Sequence, residues 1–164
     1  MATLQRIAVA SGALAAVCLA GIATLIAAQI VARLFGHQIA GADDLAAWAL
    51  AGSIFLALPY AFLRGDHIRV TLLMQFLPER AKRPYEVCAT LIALGLSAWC
   101  AWHAVYFVYE SYAYNEIAQG MIRVPLWIPQ LSMPIGLILI TLMLVIHLID
   151  ALRGKLPETE VKHG

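Results

Sequence analysis

The sequence predicts an all-α integral membrane protein, a single domain over residues 1–164 with four spanning helices. Three observations predict it. The chain is 62% hydrophobic and only 13% charged, about half the charge of an ordinary soluble domain, so it has too little polar surface to keep itself in water. Its apolar residues gather into blocks at 7–32, 45–63, 87–109 and 131–152, each near the roughly 20 residues that cross a hydrocarbon core about 30 Å thick. Lysine and arginine also fall unevenly on the two sides of these blocks, which is how spanning helices are oriented.

The first block is too long for the apolar core of a signal peptide, about 7–15 residues, and Val17 before Cys18 fits a lipoprotein cleavage site poorly. It reads as a retained helix. Small residues recur at every fourth position, Ala8, Gly12, Ala16, Ala20, Thr24, Ala28 and Ala32. In lipid, helices associate by close backbone approach, so such a ridge predicts packing. The second block repeats the device with Ala49, Ser53, Ala57 and Ala61. Asp44 stands at its start, as a cap on the outward side.

After the second block comes "RGDHIRV", residues 64–70. Arg64 marks the end of the span, Gly65 permits a turn, and Asp66 suits an N-cap, with His67 beside it in the same elbow. Residues 66–77 then read as a short helix stopped by Pro78. At 1.5 Å per residue it would be only about 16 Å long, too short to span. Val70, Leu72, Leu73, Phe76 and Leu77 share one broad face, so the pattern predicts a helix lying in the membrane interface. "PERAKR" turns the chain back toward the third block.

In the third block Trp99, Trp102, His103, Tyr106 and Glu110 repeat at helical spacing and line one face. Such a stripe serves either lateral packing against a second subunit or an interfacial aromatic belt. The loop "ESYAYNEIAQGMIRVPLWIPQ" follows and carries Glu110, Glu116 and Arg123, candidates for contact with a soluble partner. The fourth block closes the set.

Arg6, the group Arg64, Arg69, Arg80, Lys82 and Arg83, and the group Arg153, Lys155 and Lys162 lie on one side of the spans. The other side has only Arg33 and Arg123, beside Asp43, Asp44, Glu110 and Glu116. Both termini are therefore expected in the cytoplasm and both outer loops outside.

Composition and spacing argue against several function classes. A net charge of +1 without a basic run argues against nucleic acid. The three cysteines, Cys18, Cys88 and Cys100, lie in or beside apolar blocks with no metal-binding spacing. A haem anchor needs histidines facing each other at one depth, yet His103 and His147 differ in depth by about 15 Å at 1.5 Å per residue. An ion-coupled carrier acting alone needs a carboxylate deep in a span, and the acidic residues fall in loops or at span ends. No nucleophile–base set or phosphate-cradling loop emerges. The chain reads as an accessory subunit with neither enzymatic activity nor cofactor. A redox-enzyme anchor and a stand-alone carrier are the alternatives.

Three stretches then carry a family likeness: "GADDLAAW" opening span two, "RGDHIRVTLLMQFLP" after it, and "PLWIPQLSMPIGLIL" opening span four. In this order they make the chain resemble, over nearly its whole length, the small DctQ-like membrane subunit of tripartite ATP-independent periplasmic (TRAP) transporters. The family often has a glutamate where Asp44 stands and an aspartate where Thr71 stands. The resemblance implies residence in a bacterial inner membrane and two protein partners. A periplasmic binding protein captures an organic acid, and a large membrane subunit moves it inward by an elevator motion, usually driven by sodium. The small subunit clamps the large one and adds to the docking surface.

Overall fold

The computed structural model describes residues 2–64 and 79–153, and within them the chain is helical apart from its two turns at the loop end. Helix α1 runs Ala2–Leu34, α2 Ala42–Leu63, α3 Glu79–Ala113, the single turn α4 Trp127–Gln130, and α5 Ser132–Leu152. Among the described residues, four helices are long and apolar enough to cross a membrane, over Leu4–Leu34, Ala42–Leu63, Pro84–Ala113 and Trp127–Leu152. The expected interfacial helix at 66–77, and with it Gly65, Asp66 and His67, lies outside the described residues.

Two helices run past the limits of their apolar blocks. Helix α3 begins at Glu79 and continues to Ala113, where the apolar block covers only 87–109. The charged stretch after Pro78 is rich in helix formers, Glu, Arg, Ala and Lys. Charge hid that turn from a hydrophobic pattern without weakening its helix propensity. Helix α1 likewise extends past both ends of its block.

The helices form an open row, α1–α2–α5–α3. Helix α1 packs on α2, α2 on α5 and α5 on α3, while α1 barely reaches α5. The inner helices have 22 and 21 residues, about 33 Å at 1.5 Å per residue, which matches a hydrocarbon core. The outer helices have 33 and 35 residues, about 50 Å, so they tilt or project beyond it. Residues 35–41 and 114–126 share one end of the row, the loop end. Arg6, Arg64 and Arg153 share the other, the arginine end.

Close backbone approach holds the row together. Gly136 of α5 lies so near the backbone of Phe55 in α2 that a Cβ there would overlap the Phe55 carbonyl oxygen. That carbonyl is the one left without a helical donor, because Pro59 four residues on has no N–H. On the other side of α2, the Tyr60 ring lies over Gly12 of α1, where a Cβ would stand 2.6 Å from Cγ. The Tyr60 hydroxyl then accepts hydrogen bonds from Arg64 Nε at 3.0 Å and Nη2 at 2.7 Å.

The seam of α1 follows Leu4, Ala8, Ser11, Ala15, Cys18, Ile22, Leu25, Gln29 and Ala32, all buried or half-buried. This is an alternation of three and four residues, which stays on one face of a packed helix. A strict four-residue ridge advances about 40° per step around a helix of 3.6 residues per turn. So Ala8 and Gly12 meet α2, but Ala16, Ala20, Thr24 and Ala28 have wound around to the exposed side.

Candidate functional site

Residues with the means to act on a partner fall in three places: the loop end, the two outer helix faces, and one polar contact near the arginine end.

At the loop end, α3 stops at Ala113 and Asn115 takes a left-handed conformation with φ 50. Asparagine tolerates this better than most residues. The chain then makes a hairpin over residues 114–126. An isolated antiparallel bridge joins Ile117 and Pro125, Ala118 N donates to Val124 O at 3.0 Å and Leu126 N to Glu116 O at 3.0 Å. Glu116 clips the base: its N–H reaches Ser111 O at 3.0 Å, and its Oε2 accepts from Ser111 Oγ at 2.8 Å. Glu116, expected as a docking residue, is thus hydrogen-bonded at the base of the hairpin while remaining exposed. Glu110 is half-buried at the end of α3, and Arg123 is exposed.

Asp44 does not cap α2. The N-cap is Gly41, in a left-handed conformation with φ 73 and no side-chain capping bond. Asp44 stands within the first turn of the helix, where its charge favours the helix N-terminus. Its Oδ2 instead accepts a hydrogen bond from the Met121 N–H at 3.2 Å, across 77 residues of sequence. Next to it, Asp43 Oδ1 accepts from Gln29 Nε2 of α1 at 3.4 Å. The loop end thus ties α1, α2, α3 and the hairpin together through carboxylates.

The outer faces carry the expected lateral residues. On α1, Gly12 faces α2, while Ala16 and Ala20 present small side chains outward. On α3, Trp99, Trp102 and Tyr106 are 61%, 73% and 53% exposed, so the aromatic stripe points away from α5. His103 is exposed as well and meets the edge of Trp99 at 4.6 Å between ring centroids. At the end of α2, Arg64 is exposed and held by Tyr60.

The third place was missed in the sequence. Glu86 of α3 is only 9% exposed, and its Oε1 lies 3.3 Å from His147 Nε2 of α5. His147 also sits edge-on to Phe62 of α2 at 5.7 Å. Glu86 lies in the first turn of the third span, immediately before the block counted as apolar. It pairs with a residue 61 positions away, so neither spacing nor hydropathy announces it. Its Oε2 is buried and accepts no hydrogen bond. Among the described residues, no three His, Cys, Asp or Glu side chains gather as a metal site.

The family model described as "Tripartite ATP-independent periplasmic transporters, DctQ component" matches residues 22–154. No curated protein matches the chain.

Proposed function

The chain belongs to the family of DctQ components of tripartite ATP-independent periplasmic transporters, the small permease subunit of such a system, and from that premise we propose that it is a non-catalytic scaffold. It braces the large membrane subunit against the bilayer and helps dock the periplasmic binding protein during ion-gradient-driven uptake of an organic acid, with sodium as the expected coupling ion. It resides in the bacterial inner membrane, with both termini in the cytoplasm and the loop end in the periplasm.

The observation that carries this reading is the open row. Among the described residues α1 and α3 do not close on each other, so the helices make an open row instead of a closed ring around a path. The row offers broad lateral faces, and most of α1 and α3 is left unburied by the rest of the chain. In lipid, a face of small residues (Ala16, Ala20) and a face of aromatics (Trp99, Trp102, Tyr106) favour contact with a neighbouring helix through close packing and ring burial. The two outer helices, each longer than the core is thick, suit a frame that keeps a fixed depth while a partner moves. At the loop end, Glu110 and Arg123 offer the charged part of a docking surface, and Glu116 holds its shape.

Co-purification tests the reading. The tagged chain should bring down a large multi-span subunit in stoichiometric amount, and liposomes holding this chain alone should show no uptake. Purification free of any such subunit, or flux from the chain by itself, would overturn it.

A further inference from the structure

We propose that Asp44 is a positioning residue that holds the 114–126 hairpin as a preformed tip for the soluble binding protein. The inference rests on the docking role above and goes beyond it by naming the residue on which the geometry of the tip depends.

A hairpin with one isolated bridge is marginal by itself in water. This one is seated. Three consecutive residues of its tip lie against the start of α2. The Met121 N–H donates to Asp44 Oδ2 at 3.2 Å. Gly120 sits so close that a Cβ there would overlap the Asp44 carboxylate. Ile122 packs where a Cβ on Gly41 would stand. The seat is itself fixed, since the adjacent Asp43 is bound by Gln29 of α1.

With Ala118 buried and Ile122 packed inward, the hairpin turns four other side chains outward. Met121 is 76% exposed, Tyr114 75% and Ile117 54%, and Arg123 is exposed. Methionine adapts to an irregular partner surface, aromatic residues anchor, and arginine adds directional polar contact. Such a tip gains affinity when its shape exists before the partner arrives, because less conformational freedom is lost on binding. Asp44 supplies that order without touching the partner.

The test uses the two-subunit membrane complex in nanodiscs, titrated with the soluble binding protein of the same system. Asp44→Ala should raise Kd roughly three- to tenfold through the ordering cost restored to the hairpin. Asp44→Asn keeps an oxygen acceptor of the same shape and should bind like wild type, a rescue that general damage to the fold would not give. Gly120→Ala should weaken binding when Asp44 is present and have no further effect in the Asp44→Ala background, because the two act on one contact. Hydrogen exchange at the Met121 amide should accelerate in Asp44→Ala and not in Asp44→Asn. Equal Kd for wild type and Asp44→Ala overturns the proposal. If Arg123→Glu then weakens binding, only the role of Asp44 falls. If Arg123→Glu is also without effect, the docking role of the hairpin falls with it.

Discussion

At the residue scale, this protein is governed by a few places where one atom more or less decides the contact. Gly136 lies against the freed carbonyl of Phe55. A methyl group there meets backbone, which cannot rotate away, so α5 must shift from α2. Gly136→Ala should cost roughly 1–3 kcal/mol, the range for overpacking a tight contact, read as a lower melting temperature of the purified complex. An unchanged melting temperature would show that the interface has slack. Glu86 and His147 are the second place. Glu86 is buried and His147 half-buried, and removing one member of such a pair leaves the other without its partner. Glu86→Ala should therefore destabilise by roughly 1–3 kcal/mol, and Glu86→Ala with His147→Ala should cost less than the sum of the singles. Additive losses in a double-mutant cycle would mean that the contact at 3.3 Å contributes nothing.

At the element scale, each outer helix has one face fixed by the fold and one left over. The inner face of α3 is made of small or polar residues, Glu86, Thr90, Ala101, Ala104 and Ser111, all buried. Its outer face carries the large aromatics. In lipid no hydrophobic drive pulls these rings into the chain, while small residues on the inner face let α5 approach closely. Placing them outward suits contact with something beyond the chain, lipid or subunit. On α1 the small residues Ala16 and Ala20 have the corresponding position. Bulky substitutions such as Ala16→Leu with Ala20→Leu, or removal of rings by Trp99→Ala with Trp102→Ala, should lower recovery of the large subunit while leaving the melting of the isolated chain nearly unaltered. Full recovery with both pairs would assign these faces to lipid. The sequence made this stripe on α3 legible because a helix imposes its own spacing. The ridge on α1 misled in part, because a repeat of four does not match the pitch of a packed helix.

At the scale of the whole molecule, charge and hydropathy decide orientation while packing decides shape. The lysine and arginine bias predicts that Arg64 faces the cytoplasm and Tyr114 the periplasm. In a cysteine-free background, Tyr114→Cys should react with a membrane-impermeant maleimide in intact spheroplasts, and Arg64→Cys should react only after lysis. The reverse pattern would invert the topology. Four helices able to span were legible in the sequence, because a bilayer imposes a length and a polarity that any spanning helix must meet locally. The order of the helices was not legible. Nothing in a run of apolar residues says which neighbour it will meet, since lipid and protein are equally apolar. Only the tertiary structure decided that α5 lies between α2 and α3, that Glu86 meets His147, and that Asp44 serves the hairpin instead of capping its own helix. Each is a contact between residues far apart in the chain, fixed by shape and directed hydrogen bonds, and such contacts leave no period or motif in a linear sequence.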